Sequence, residues 1–213
     1  MGRASLWAHL RRRRTFANAR DFLVVGLGNP GSEYVSTRHN AGFMSLDILA
    51  GAQDVRFRHF GQGEAVVWHV DGKRGVLAKP MTYVNNSGSY VKFLVTRLGI
   101  AVDKVLVVHD DITLDIGQYK FKFGGGSAGH KGLISIIESL GTAEFYRLRI
   151  GIGRPPRGDS RVEWVLSAFA EEQLGPLSEA LQRCSTAVAD FAIQGGVAAM
   201  NIHNKRTKER KLC

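Results

Sequence analysis

The chain has 213 residues, of which 44% are hydrophobic, and a formal net charge of +10 at pH 7. This length suits one domain with one sizeable core, and the longest apolar runs fall far short of the ~20 residues that a membrane-spanning helix needs. Two cysteines, Cys184 and Cys213, are too few for a disulfide framework or a cysteine metal cluster, which favours a reducing compartment.

The positive charge lies at the two ends of the chain. Residues 1–20 hold six arginines and no acidic residue, residues 201–213 carry a net +4, and residues 21–200 are therefore neutral. We expect a basic, disordered extension over 1–20, one domain over 21–200 and a basic tail over 201–213. The extension could instead be an over-extended start or a mitochondrial transit peptide, so we expect a cytoplasmic protein with a mitochondrial location as the alternative.

The first predicted strand, residues 22–25, ends in a glycine-rich turn. The letters GLGNPG of residues 26–31 satisfy the dinucleotide fingerprint G-x-G-x-x-G. We do not expect a nucleotide there, because Pro30 disfavours a helix at the preceding residue and no strand ending in an acid follows about 20 residues on. The turn is instead expected to expose Asn29 and His39 in a cleft at the carboxyl edge of a sheet.

Strands and helices alternate along the rest of the chain. Between two strands, Asp71 and Gly72 predict a two-residue hairpin. The alternation predicts an α/β fold, a single-domain three-layer sandwich in which a mixed, mostly parallel sheet is flanked by helices. Strands are predicted over 63–70, 74–79, 104–111, 117–123 and 147–153, and helices over 41–50, 89–98, 133–140 and 171–194.

Histidine is the usual base at neutral pH, and two histidines stand out. His39 and His130 lie in glycine-bounded loops near predicted strand ends, whereas His109 lies inside an apolar run. His39 is the stronger candidate. Asp110 or Asp111 could orient it, but their side chains point to opposite faces of the strand, and the sequence leaves open which one faces His39.

Water is the expected nucleophile, because the chain has no serine-elbow motif, no suitably placed cysteine and no metal-ligand spacing. We expect neither a metal nor a cofactor. Asn29 and Asn85, each at a turn after a strand, could position the substrate and stabilise an oxyanion. A basic set between residues 116 and 161 could bind nucleic-acid phosphates, with a merely solvated face as the alternative. This set comprises Lys120, Lys122, Lys131, Arg147, Arg149 and Arg154.

Four motifs within residues 22–195 together resemble the bacterial-type peptidyl-tRNA hydrolase family. They read GLGNPG with TRHN-x-GF, KP-x-TY-x-N-x-SG, HDD-x-x-L-x-x-G, and GGG-x-x-GH-x-G followed by RLRIGIG. The resemblance implies a monomeric enzyme that hydrolyses the ester between peptide and tRNA in peptidyl-tRNA and so recycles tRNA from aborted translation. It also implies that His39 is the base and that Asp110 is the acid that orients it.

The same resemblance implies how tRNA is bound. Asn29 and Asn85 correspond to residues that bind the peptidyl part and water, and Tyr34 to a residue near the tRNA 3′ end. Lys120 and Arg149 fall on the pair that resembles the family's clamp for the acceptor-stem phosphate. No membrane partner is expected.

One position departs from the family pattern. Lys131 stands where the fourth motif usually has an asparagine that contributes to substrate and water positioning. Its cation could contact a phosphate or the ester carbonyl, or could depress the pKa of His39 as a nearby like charge. The alternative hypothesis is therefore a catalytically weak RNA-binding relative of the same fold.

Overall fold

The structure is a computed structural model that describes residue 16 and residues 20–209, with side chains described to residue 205. The disorder predicted for residues 1–20 lies almost wholly outside the described residues. Of that segment, Phe16 is buried and its ring stacks on Phe60 at 4.3 Å between centroids. No helix in the described part of the chain is long and apolar enough to cross a membrane.

One sheet organises residues 20–209. Its seven strands lie in the order β2-β3-β4-β1-β5-β7-β6. The strands are β1 (Leu23–Gly26), β2 (Arg58–Phe60), β3 (Gly63–Val70), β4 (Lys73–Pro80), β5 (Val105–Asp111), β6 (Tyr119–Phe123) and β7 (Tyr146–Gly151). The α-helices in this range are α1 (Ala41–Ala52), α2 (Ser87–Leu98), α3 (Lys131–Leu140), α4 (Arg161–Leu166), α5 (Glu171–Gln194) and α6 (Gly196–Glu209).

The predicted mixed sheet between helices is confirmed. Strands β4, β1, β5 and β7 form a parallel centre, and β2, β3 and β6 add antiparallel pairs at its two sides. Three strand pairs are parallel and three are antiparallel, so the sheet is mixed as predicted but not mostly parallel, and the parallel part is confined to the four central strands. The hairpin at Asp71 and Gly72 is also confirmed, since both residues have positive φ (47° and 73°), as a tight turn between antiparallel strands requires.

Alternate residues of each central strand enter two separate cores. Val105 and Val107 of β5 belong to the core under α2 and α3, while Leu106 and Val108 belong to the core under α1, α5 and α6. Burial on both faces explains the continuous apolar run of β5. It also means that the polar residues following this run emerge at the carboxyl edge of the sheet.

The helix α6 crosses the boundary after residue 200 that charge alone had suggested, so the tail predicted from residue 201 begins inside the packed fold. His203 is buried: its Nε2–H donates to Asp190 at 2.7 Å, and the hydroxyl of Tyr119 donates to its Nδ1 at 2.9 Å. The side-chain amide of Asn204 bonds both backbone groups of Phe121, at 2.9 and 3.1 Å. These polar side chains cover the outer edge of β6, and an edge strand needs such cover.

Helix α1 approaches the sheet so closely at Gly42 that a side chain does not fit there. A Cβ on Gly42 would collide with the carbonyl oxygen of Val108 and lie 2.5 Å from the backbone nitrogen of Leu27. We expect Gly42→Ala to lower the free energy of unfolding by about 1–3 kcal/mol, measured by urea denaturation, because only a shift of the whole helix relieves the contact. In the same helix Gly51 has nothing within 4 Å. Gly51→Ala should therefore leave stability unchanged or raise it by up to about 1 kcal/mol; equal losses in both variants would contradict this account.

Candidate active site

Three elements bring polar side chains together at the carboxyl edge of the sheet. His39 lies on the short 3-10 turn Arg38–Asn40 that leads into α1, Asp110 lies near the end of β5, and His130 lies directly before α3. Between β1 and this turn the chain forms a loop with one short 3-10 turn, Ser32–Tyr34, and no α-helix begins within residues 26–31. The fingerprint glycines therefore lack the helix N-terminus that would bind a pyrophosphate.

Asp110, rather than Asp111, faces His39. The Nδ1 atom of His39 lies 2.8 Å from Oδ1 of Asp110, and Asp110 is only 2% exposed. Asp111 points to the other face of the sheet, where its Oδ2 accepts a hydrogen bond of 2.7 Å from Nε of Arg149. The strand pattern left open which aspartate faces His39, and the structure shows that it is Asp110.

His130 bonds the same carboxylate oxygen from the opposite side. Its Nε2 lies 3.0 Å from Oδ1 of Asp110, and its Nδ1 accepts from the backbone N–H groups of Gly132 (3.1 Å) and Leu133 (3.3 Å). Because Nδ1 acts as an acceptor, the ring proton lies on Nε2 and is donated to Asp110. His130 thus caps α3 and braces the carboxylate, a role that its sequence position did not reveal.

His39 is arranged as a base. Its Nδ1–H donates to Asp110, its Nε2 has no hydrogen bond to any described residue, and 11% of its side chain is exposed. Burial alone would lower the pKa of His39, but the charge of Asp110 and the hydrogen bond to it outweigh burial and raise that pKa. The depression by Lys131 considered above is therefore not the net effect. Lys131 is exposed and forms no ion pair or hydrogen bond with a described residue.

The surroundings keep Asp110 ionised and His109 neutral. Burial would raise the pKa of Asp110, but the charges of His130 and His39 and their hydrogen bonds hold it well below its usual range. His109 donates from Nδ1 to the carbonyl oxygen of Asp110 at 2.7 Å, and its pKa falls to about 3 because it is buried and lies beside His130. His109 also has an unpaired ring nitrogen, Nε2, but that atom is buried. Of the three histidines around Asp110, His39 is thus the one whose unpaired nitrogen belongs to a partly exposed side chain.

Among the described residues, His39, Asp110 and His130 are also the one group that could offer three metal ligands, with ligand atoms within 4.8 Å of one another. Their spacing fits hydrogen bonding better. Distances of 2.8 and 3.0 Å from two ring nitrogens to one oxygen are those of N–H···O bonds, which need a proton on each nitrogen. A metal would require those nitrogens to be deprotonated.

Two asparagines lie close to this cluster. The side chain of Asn40 bonds both backbone groups of Asn29, at 2.8 and 3.0 Å, and Oδ1 of Asn29 accepts from the backbone N–H of Val84 at 2.9 Å. The Nδ2 group of Asn29 then faces away from these contacts and has no partner among the described residues. Asn85, the residue after Val84, is exposed and likewise unpaired there. The sequence did not indicate that Asn40 holds the backbone of Asn29, although Asn40 directly follows His39.

Tyr34 and Tyr83 form an aromatic pair beside the turn that carries Asn85. The rings of Tyr34 and Tyr83 meet edge to face, with centroids 6.4 Å apart, and Tyr83 is 58% exposed. Tyr83 directly precedes the turn Val84–Asn86, so the pair connects the predicted Tyr34 with the turn that carries Asn85. The sequence contained Tyr83 within the TY-x-N motif but did not identify it as a site residue.

Lys120 and Arg149 are directly opposite each other on neighbouring strands. They pair across β6 and β7, so their side chains leave the same face of the sheet. Arg149 is held by Asp111 and by the hydroxyl of Thr113, which accepts from its Nη2 at 2.9 Å, whereas Lys120 is exposed. Burial would raise the pKa of Asp111, but the hydrogen bonds from Arg149 and Thr113 lower it. The pair thus combines a guanidinium held by hydrogen bonds with an exposed ammonium.

Arg147 does not belong to the phosphate-facing set in which the sequence had placed it. It is 2% exposed, and its guanidinium donates to the carbonyl oxygens of Gly125 and Gly126. Burial and the nearby charge of Arg149 lower the pKa of Arg147. Its function is structural, because it fastens the glycine-rich loop that leads to His130.

Arg38, which the sequence did not single out, fastens the turn that carries His39. Its guanidinium donates to Ser167, Ala168 and Gln173 and lies 3.8 Å from the ring centre of Trp164. The buried cation thereby ties residues 164–173 to the base. The only sequence signal was its place next to His39, since its partners lie more than a hundred residues away along the chain.

The family profile, the similar sequences and the similar structures described next all belong to one family. The sequence profile of the family described as peptidyl-tRNA hydrolase matches residues 23–211. The chain is similar to the peptidyl-tRNA hydrolase of Desulfitobacterium hafniense, with 42% identity over 86% of this chain and 99% of that protein. It is 46% identical to the peptidyl-tRNA hydrolase of Thermus thermophilus over 82% of this chain and 91% of the other. The crystal structure of the Acinetobacter baumannii peptidyl-tRNA hydrolase superposes with a TM-score of 0.80 at 34% identity, over 86% of this chain and 94% of that one.

Proposed function

Because the chain belongs to the peptidyl-tRNA hydrolase family, we propose that it hydrolyses the ester bond between peptide and tRNA in peptidyl-tRNA. The observation that carries this proposal is the bond of 2.8 Å between His39 and Asp110, which leaves Nε2 of the imidazole without a partner among the described residues. A base held in one tautomer beside a buried carboxylate is the arrangement that water-dependent ester hydrolysis needs.

The proposed reaction uses water as the nucleophile. Nε2 of His39 takes a proton from water while the oxygen attacks the ester carbonyl carbon, and Asp110 stabilises the imidazolium that forms. The amide N–H groups of Asn29 and Asn85 donate to the negative oxygen of the tetrahedral intermediate. When the intermediate collapses, the C–O bond to the ribose breaks and the ribose oxygen takes the proton back from His39. The products are a peptide with a free carboxylate and a tRNA with a free 3′-terminal hydroxyl.

The remaining groups fit a nucleic-acid substrate. We assign Lys120 and Arg149 to a phosphate of the acceptor stem, since two cations on one face with one guanidinium fixed in place suit a phosphate. Tyr34 is assigned to the tRNA 3′ end, and Lys131 lies at the start of α3 where the acyl group or a phosphate could reach it. These groups all come from one chain, so a monomer is sufficient. Peptidyl-tRNA arises at ribosomes, which fits action in the cytoplasm, with the mitochondrion as the alternative.

The direct test is hydrolysis of an N-acetyl-aminoacyl-tRNA by the purified protein. We expect release of the N-acetyl amino acid with kcat in the ordinary enzyme range of about 1–10³ s⁻¹. Activity should persist after treatment with a chelator, since the proposed steps use only side chains and water. Absence of turnover beyond the spontaneous rate would overturn the proposal.

The second candidate is a weak or inactive RNA-binding relative, and Lys131 is the residue that favours it. The structure places Lys131 directly after His130, exposed and in contact with no described polar group of the site. We therefore expect Lys131→Asn to change kcat by less than about tenfold, equivalent to about 1.4 kcal/mol in the barrier. The measurement is the same assay at saturating substrate. A variant at least a hundredfold faster than the native chain would show that Lys131 obstructs catalysis and would support this candidate.

A further inference from the structure

The segment that runs from the end of β7 to the first residue of α4 carries three arginines that the catalytic site does not use. Within residues 154–161, named here the arginine loop, Arg154, Arg157 and Arg161 are exposed, and none forms an ion pair with a described acid. Asp159 is the one acidic residue in the loop, so its net charge is +2. Surface arginines are usually solvated, but these three lie on a segment whose ends are fastened beside the turn that carries His39.

The two ends of the arginine loop meet at Trp164, beside the turn that carries His39. The loop follows β7, and Arg154 comes five residues after Arg149, so the two Cα atoms are at most about 18 Å apart. At its start, Gly153 accepts a hydrogen bond of 2.9 Å from the indole N–H of Trp164. The guanidinium of Arg38, the residue before His39, lies 3.8 Å from the centre of the Trp164 ring. The loop therefore begins and ends beside Trp164, close to the turn that carries His39, and its first residue lies at most about 18 Å from Arg149.

The substrate must extend from Lys120 and Arg149 to His39. A tRNA whose acceptor stem is held at Lys120 and Arg149 has to lead its unpaired 3′ nucleotides to the ester at His39, and each nucleotide brings a negative phosphate. Arginine is suited to this partner because its planar fork binds phosphate oxygens in pairs and remains charged at every working pH. Pro155 and Pro156 restrict the backbone between the first two arginines, which lowers the entropy lost when the loop is ordered on RNA.

We propose that the arginine loop binds the phosphates of the single-stranded 3′ end of tRNA between the acceptor stem and the ester. This inference rests on the proposed function and adds to it a second phosphate-binding surface, separate from Lys120 and Arg149. It assigns the loop to the unpaired nucleotides, not to the double-stranded stem.

The test compares two triple variants with the same loss of charge. The first is Arg154→Gln with Arg157→Gln and Arg161→Gln. The control is Arg56→Gln with Arg58→Gln and Arg97→Gln, whose arginines are also exposed but lie at β2 and on α2. For N-acetyl-aminoacyl-tRNA we expect the loop variant to raise KM about tenfold or more. Its plot of log(kcat/KM) against log salt should be less steep by about 2, since each single-strand phosphate contact contributes about 0.7. The control should match the native chain in both.

Two further measurements separate the possible failures. Hydrolysis of N-acetyl-aminoacyl-adenosine, which has no phosphate, should be the same in the loop variant and the native chain. A loss there would make the loop a structural element and overturn the inference.

Binding of uncharged tRNA, measured by fluorescence anisotropy, should weaken in the loop variant, but not when the tRNA lacks its unpaired 3′ nucleotides. If weakening persists on the shortened tRNA, or never occurs, the inference is wrong. A native chain that hydrolyses neither ester refutes the proposed function instead, and the binding comparison still decides the role of the loop.

Discussion

The variant His39→Ala is expected to lose about 10²–10⁴-fold in kcat on N-acetyl-aminoacyl-tRNA, with little change in KM, because removal of a general base affects proton transfer more than binding. His39 contributes the one free ring nitrogen in a cluster whose other nitrogens are all engaged or buried. Steady-state kinetics at a pH above the raised pKa of His39 measure the loss when the native base is neutral.

A control for His39→Ala is His69→Ala, since His69 is exposed on β3, away from the cluster. It should keep native kinetics. Circular dichroism and thermal unfolding show whether the His39 variant still folds, which we expect because Asp110 keeps its bond to His130. A folded His39→Ala protein with native turnover would mean that another group activates water.

The second large effect is expected for Asp110→Asn. The amide can still accept hydrogen bonds from His39 and His130, but it cannot stabilise the imidazolium with a negative charge, so kcat should fall about 10²–10³-fold. The pH profile should also change. His39 works as the neutral base, so activity rises with pH through its pKa, which lies above its ordinary value in the native chain. Without the charge of Asp110, a main cause that raises that pKa is lost while burial still lowers it, so the rising limb of kcat against pH should move to lower pH.

The neighbouring variant Asp111→Asn provides the comparison. Asp111 holds Arg149 and does not touch His39, so this variant should raise KM for the tRNA ester and leave the rising limb in place. Kinetics of both variants between about pH 5 and 9, on either side of the usual histidine pKa, measure the two effects separately. An unchanged limb in Asp110→Asn would exclude Asp110 as the partner that sets the pKa of His39.

The sequence predicted most elements because the signals for them are local. The strand pattern of β5, the hairpin at Asp71 and Gly72 and the bounds of α5 all follow from neighbouring residues, and each agrees with the structure. The elements that the sequence missed or cut short have weak local signals. Strand β2 has three residues and α4 has six, and α6 ends in a charged run that reads as a solvated tail.

The candidate site could be predicted only in part. Motif resemblance indicated His39 and Asp110, and the structure brings them within hydrogen-bonding distance. Their catalytic roles stay a prediction until the variants above are measured. The functions of Arg147 and His130 could not be read from the sequence. An arginine in an alternating basic strand looks solvent-facing until the glycine-rich loop folds over it, and a histidine before a helix shows its capping role only when the backbone N–H groups are placed.

The amino-acid sequence by itself determined the alternation of strands and helices, the apolar interior and the motif residues, since each depends on contacts within a few positions along the chain. Only the tertiary structure decided that Asp110 and not Asp111 meets His39, that His130 shares the same oxygen, and that Arg38 ties the turn to residues 164–173. These contacts join positions 71, 20 and 129 residues apart. Which side chains meet at such separations depends on strand order, register and helix packing, and these are set by burial of the whole core at once.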